Sequence, residues 1–438
     1  MNIKIASTNK HLSSLGGLVL LKTLMKKSDL KGFVEPSLPK LKMANFRNFD
    51  KFEGLVSGFV AGADCLDDMD NLIKDPGFKA NSNGDFTAKT YGNFLRSFNH
   101  EPCKELAKNL TPFSYRLREK LFPKDKSITI DLDSTSNKQY GLKMEGVKEN
   151  YKGVNCLDTI KAFDEYGFQY WCDVRPGNTF TANGAGEIIH RIFQQIPLKK
   201  SFYSIRRFAR ADSGYCNSEF FNACSAKNVG FVTAMRANLY KPLLKDIKYW
   251  QNVKQKGKKS IRFYDERPCD IATISYKKNK NHQKLRVIII RAKKADFENY
   301  LFKEDRYDYL AFITNIGEHE MSHEKIIQFY RKRGNAENFI RELKYGFDLK
   351  HYPCQKLVAN KAYGLIAAYA YNLLRFIGFK SSKNGKASFA KKIRNNLINL
   401  PSYVVRHAKE VVIKYRHIHY KEVNTLLTYI QNLRFGCG

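Results

Sequence analysis

The chain is short of acid. Its 438 residues carry 42 Asp and Glu against 76 Lys and Arg, a formal net charge of +34 at pH 7. Such an excess repels itself in a compact state and attracts polyanions, with nucleic acid the commonest partner and salt its main competitor. A host that merely favours lysine would balance it with glutamate, and no such balance is present. Cysteine offers no framework either: there are nine, an odd number, with no C-x-x-C pair. A chain this long needs no disulfide staples, and the cysteines read as reduced thiols, mostly buried, in a cytoplasmic protein. Long apolar runs are missing too. The most apolar stretch, 365–379, is interrupted by Asn372 and Arg375, so a buried helix is expected there and not a membrane span. Residues 1–10 lack the apolar core of a secretory leader. No internal repeat is visible. With 43% hydrophobic and 27% charged residues the composition is that of a globular protein, and disorder is not the default.

Apolar residues three and four apart predict helices over 12–26, 52–74 and 86–98, hence a helical N-terminal DNA-binding domain over residues 1–120. The character changes at Ser127. The β-branched run ITIDLDST is a strand, followed by strands at 155–163 and 168–174, a helix at 185–195, a strand at 202–211, a helix at 217–227 and a strand at 230–236. Three neighbouring strands followed by alternating helix and strand predict a mixed α/β sheet, spanning 121–237 and returning at 308–356. Between them, 238–307 reads as a separate basic β region, with 17 Lys and Arg and 4 Asp and Glu between Lys241 and Lys294. One long helix is expected over 323–346, an apolar helix over 357–379, and a basic helical tail to residue 438.

Three acids invite chemistry. Asp131 and Asp133 lie two apart on one strand and share a face. Asp212 follows a second strand and opens a Ser-Gly turn. A carboxylate in or just beyond a buried strand is costly unless a cation compensates it. A turn or capping residue would explain Asp212 alone. The helix at 323–346 adds Tyr330, Arg333, Glu337 and Lys344. At about 100° per residue their offsets fall at roughly 0°, −60°, −20° and −40°, one narrow face that Arg341 joins. An i,i+4 pair between Glu337 and Arg341 would explain that helix in isolation, but not its companion strands. His319-Glu320-Met321-Ser322-His323 matches the zinc pattern H-E-x-x-H, which works only on one helix; here it spans a connector, with Ser322 placed as an N-cap. His417 and His419 are a weaker cue still and read as basic surface.

Asp133-Ser134-Thr135, Ala211-Asp212-Ser213-Gly214 and the Tyr330/Arg333/Glu337/Lys344 series resemble the DDE transposases of bacterial insertion sequences, in the branch with a Tyr-Arg-Glu-Lys signature, the insertion sequence four superfamily. Within it the chain is most similar to the insertion sequence thirteen-eighty group. The shared pieces include Leu15-Gly16-Gly17-Leu18, Gly58-Phe59-Val60-Ala61-Gly62, Asp75-Pro76-Gly77-Phe78-Lys79, Tyr140-Gly141 and Arg175-Pro176-Gly177-Asn178. Lys152-Gly153 and Asp158 depart from it, standing where smaller or apolar residues belong.

The resemblance implies a ribonuclease-H-like catalytic core with a β-rich insertion, flanked by helical regions. It implies Asp133, Asp212 and Glu337 as ligands of two Mg²⁺ ions, or Mn²⁺ in their place, because hard cations take carboxylate oxygens and a metal pair can activate both oxygens of a phosphoryl transfer. Asp131 is the alternative first ligand. Tyr330, Arg333, Lys344 and Arg341 then hold phosphates of the element's end, and Trp250 of the insertion is a platform for a flipped base. The implied partners are double-stranded DNA, as terminal inverted repeats and target, and a second copy of the chain. Two rival readings are a catalytically silent DNA binder and a plain nuclease of the same fold.

Overall fold

The computed structural model describes residues 3, 8, 10–40, 47–141, 143–200, 203–253, 261–277, 284–296, 298, 303–407 and 410–435. Most of the 1–10 segment and parts of the basic region lie outside them.

After a two-residue strand β1 (Leu12–Ser13), the first third is helical: α1 (Leu18–Lys27), α2 (Asn48–Ala61), α3 (Ala88–Arg96) and α4 (His100–Leu121), with shorter turns between. The first helix starts later than its apolar spacing suggests, because the backbone of Gly16 and Gly17 is engaged elsewhere. Their N–H groups donate to Leu400 and Ile398 carbonyls, and a Cβ on Gly17 would sit 1.7 Å from the Leu397 oxygen.

The core sheet follows: β2 (Ser127–Lys138), β3 (Lys148–Glu149), β4 (Asn155–Asp164), β5 (Gln169–Pro176), then α5 (Ala185–Gln195), β6 (Arg206–Ala211), α6 (Ser218–Ala226) and β7 (Gly230–Ala234). Strand β4 pairs antiparallel with both β2 and β5, while β6 lies parallel to β2 and β7 parallel to β6. The order β5-β4-β2-β6-β7, three antiparallel strands and then parallel ones, is the mixed sheet of a ribonuclease-H-like core. The central strand is buried from Ile128 to Leu132, as a strand covered on both faces must be.

The basic region differs from its expected form. It contributes β8 (Gln251–Asn252), β9 (Asp270–Tyr276) and β10 (Leu285–Lys293), which are not a separate sheet. β10 pairs along its whole length with β11 (Tyr307–Thr314), and β11 pairs antiparallel with β7, so one ten-stranded sheet runs through. Strand partners are non-local, and alternation along a strand does not name them.

Beyond β11 the single helix expected over 323–346 is two: α7 (His323–Arg331) and α8 (Gly334–Gly346). At the joint the N–H groups of Arg333, Asn335 and Ala336 bond three residues back, a tightened turn. Helix α9 (Leu357–Ser381) is buried along almost its whole length against β5, α4 and α2. The two polar residues that interrupt its apolar stretch are satisfied inside the protein. Asn372 bonds both the N–H and the carbonyl of Gln169, and Arg375 pairs with Glu342 at 3.5 Å. Among the described residues no helix is long and apolar enough to cross a membrane.

The tail is not wholly helical. Strands β12 (Ser402–His407) and β13 (Glu410–Tyr415) form a hairpin that pairs with β1, and α10 (His417–Gln431) follows. Eight cysteines are described and all are free thiols; Cys437 lies outside the described residues.

Candidate active site

Two carboxylates leave neighbouring strands side by side. β2 and β6 run parallel with Leu132 opposite Ala211, so Asp133 and Asp212 are the next residues on each strand, about 4.8 Å being the usual spacing of paired strands. Asp212 is fixed by its own turn: its Oδ1 accepts from the Gly214 N–H at 2.8 Å. Asp133 accepts from the Ser134 N–H at 2.9 Å. Burial lifts the Asp133 carboxyl to about 6; Arg333 works against that rise and the charge of Asp212 adds to it.

The joint between α7 and α8 delivers the third acid. Arg333 Nη1 lies 3.1 Å from Asp133 Oδ2, and its Nη2 lies 3.4 Å from Glu337 Oε1. One guanidinium thus bridges an acid of the sheet and an acid of the helix. Glu337 is the open member, its side chain 62% exposed, and its ion-pair partner is Arg333 one turn earlier. Tyr330 packs its ring 4.8 Å from Phe312, and burial raises its hydroxyl's pKa in a setting that includes Arg333, Asp212 and Asp133. Lys344 donates to the Ser136 carbonyl at 2.9 Å; burial lowers its pKa while Asp133 opposes the fall. Arg341 is exposed on α8.

Asp131 is engaged elsewhere. It is fully buried and held by Arg210 through two 2.7 Å bonds, Nε to Oδ1 and Nη2 to Oδ2. Trp250 is half-buried in the sheet extension, with the Arg291 guanidinium 4.1 Å from its ring and Tyr309 at 6.2 Å; these contacts do not include the acids. In the H-E-x-x-H segment, His319 lies in a turn, Ser322 caps α7 by accepting from Lys325 N, and only His323 is helical. The two histidines therefore never share a helix face, which removes the zinc reading of that pattern.

A divalent ion can be tested against these residues. The donors are hard carboxylate oxygens, and Asp133 remains under-compensated even beside Arg333, so the sheet pair suits a cation. No group of three His, Cys, Asp or Glu side chains converges on one point among the described residues. Glu337 and Asp133 stand on either side of the Arg333 guanidinium, each bonded to a different nitrogen of it.

One residue next to the acids is not found by motif reading. Lys161, directly across from Asp133 on β4, is buried, and burial lowers its pKa to about 8. A lysine inside the apolar run of β4 was its only signal. Arg175 holds Asp158 through Nε at 2.8 Å. That explains the acid at 158, which is neutralised by the arginine of Arg175-Pro176-Gly177-Asn178.

A family model described as transposase DDE domain group 1 matches residues 1–435. A search of curated proteins found no match.

Proposed function

The chain belongs to the DDE transposase family, and from that premise we propose that it cuts DNA at the ends of an insertion sequence and joins the freed 3′ hydroxyls to target DNA. Asp133, Asp212 and Glu337 would hold two divalent ions, Mg²⁺ or Mn²⁺. When bound, such ions supply the Lewis acidity that activates the attacking oxygen and stabilises the leaving one. The observation that carries this reading is the adjacency of Asp133 within β2 and Asp212 just past β6, with Arg333 linking Asp133 to Glu337.

The chain's own groups have definite tasks in this reading. Arg333 can exchange its carboxylates for a phosphate, since a planar guanidinium recognises both alike. That exchange frees Asp133 and Glu337. Tyr330 and Lys344 flank the same point and offer a hydroxyl and an ammonium to neighbouring phosphates, with Arg341 further along α8. The helical first 120 residues would read the terminal repeats, and two copies would hold two ends together, in the cytoplasm on the nucleoid. The signature Tyr330, Arg333, Glu337 and Lys344 supports placement in the insertion sequence four superfamily, thirteen-eighty group.

The experiment uses DNA that flanks the gene. Matched inverted repeats there supply the substrate, and wild type is compared with Glu337→Gln in Mg²⁺. Wild type is expected to cut the end and join it; the variant binds the end and leaves it whole. Equal cutting by both removes Glu337 from the site. Cutting without joining favours a plain nuclease, and binding without cutting a silent binder.

A further inference from the structure

A groove of about 880 Å³ opens beside Asp212, which lines it together with Ser134 next to Asp133. That volume lies within the ~300–1,000 Å³ typical of ligand pockets. Hydroxyls and glycines line it, and three cations, Lys138, Lys152 and Arg236, reach its rim. Two aromatic rings stand in solvent there: Tyr151 is 87% exposed and Phe180 52%. Each has a cation beside it. Arg236 lies 5.7 Å from the Phe180 ring and Lys152 5.4 Å from the Tyr151 ring; just outside, Lys138 lies 5.0 Å from Tyr140.

The walls are built and not incidental. Asn150 fixes the hairpin that carries Tyr151: its Oδ1 accepts from Lys152 N at 2.9 Å and Val154 N at 3.2 Å, while its Nδ2 donates to Ser136 Oγ at 3.1 Å. Gly153, at φ 72°, allows the left-handed turn. The opposite wall is held by Arg175, which donates to the Asn183 carbonyl at 2.7 Å and the Thr181 carbonyl at 3.4 Å. Gly177 passes so close to β4 that a Cβ would lie 2.0 Å from the Cys156 oxygen. Lys152-Gly153, Asp158 and Arg175–Asn178 therefore share one task, the shape of this groove.

We infer that the groove holds an unpaired stretch of DNA adjoining the phosphate at the acids, with bases stacked on Phe180 and Tyr151 and phosphates held by Lys138, Lys152 and Arg236. The inference rests on the transposase reading above. A duplex offers only base edges in its grooves, whereas exposed rings beside cations match the stacking and charge of single-stranded DNA.

The probe is a duplex with a short single-stranded overhang carrying 2-aminopurine, in EDTA so that no cutting occurs. Wild type is expected to quench the probe base and to prefer the overhang over blunt duplex by roughly tenfold, the scale of one stacked base. Phe180→Ala combined with Tyr151→Ala should lose both quenching and preference while keeping affinity for blunt duplex. Should the double variant lose its thermal transition, Phe180→Leu, which keeps bulk but no ring face, gives the same readout. Wild-type levels of quenching and preference in these variants, or no preference in wild type, overturn the groove. Cutting of the element's end is run in parallel. Cutting without overhang preference removes the groove and leaves the transposase reading; overhang preference without cutting does the reverse.

Discussion

Strand β2 carries two aspartates two residues apart, each facing an arginine, and the two pairs belong to different regions of the molecule. Asp131 sits in the interior with Arg210, whose fork closes on both carboxylate oxygens. Asp133 sits at the mouth with Arg333, which gives it one bond and reaches toward Glu337 with another. Burial lifts both carboxyls to about 6. What differs is commitment. Arg210 also donates to the Phe329 carbonyl and has nowhere to go. Arg333 holds its acids at the rim, where an incoming phosphate can compete. The same chemistry is a structural clamp in one place and, on the proposed reading, a reversible latch in the other.

The comparison can be broken in four ways. The largest effect is expected at the mouth: Asp133→Asn or Glu337→Gln should lower end cleavage by about a thousandfold or more, the scale of a lost charge-stabilising ligand. End binding and thermal midpoint should stay near wild type, and chelation of divalent ions should mimic the variants in a gel cleavage assay. The interior pair should answer in the opposite currency. Asp131→Ala leaves Arg210 buried and unpaired and should cost about 3–5 kcal/mol in urea unfolding. Replacing both partners by apolar residues should recover most of that loss; a midpoint that does not move for Asp131→Ala would erase the distinction. Third, Arg333→Ala should weaken end binding by about ten- to a hundredfold, as expected for a charged hydrogen bond, with unfolding nearly unchanged. Loss of stability on the scale of Asp131→Ala would make Arg333 a second clamp. The smallest effect concerns Lys344. Lys344→Ala should reduce the slope of log affinity against log salt by about 0.9, one phosphate contact, measured by fluorescence anisotropy; an unchanged slope would place Lys344 off the DNA.

Much of this arrangement was legible in the sequence. The strands expected at 155–163, 168–174, 202–211 and 230–236 are found at 155–164, 169–176, 206–211 and 230–234, and the helix at 185–195 follows from its apolar stripe. Asp133 and Asp212 stand out because carboxylates in or just after a buried strand need a reason. Other features were hidden for physical causes. The break at Lys332–Arg333 keeps right-handed helical dihedrals on both sides and alters only the hydrogen-bond pattern, so residue spacing gives no sign of it. The hairpin at 402–415 carries its valines in adjacent pairs, 404–405 and 411–412, with no clean alternation amid a basic tail, and its partner strand begins at residue 12. The merging of the basic strands with the core sheet depends on β10 meeting β11, a pairing written in neither strand alone. Asp131 and Asp133 were indistinguishable by spacing; the Asp133-Ser134-Thr135 match favoured Asp133, and Arg210 on the neighbouring strand supplies the structural reason that Asp131 is engaged.

The seam between β1 and the β12–β13 hairpin has a consequence for how the chain is made. Residues 12–17 find their backbone partners near 398–403, and the Tyr415 hydroxyl donates to the Gly16 carbonyl at 2.7 Å. Residues 12–17 thus wait for a segment synthesised some hundreds of residues later before their edge is closed. A nonsense mutation upstream of residue 398 leaves that edge open, so early termination would give an unfinished chain and not a smaller working one.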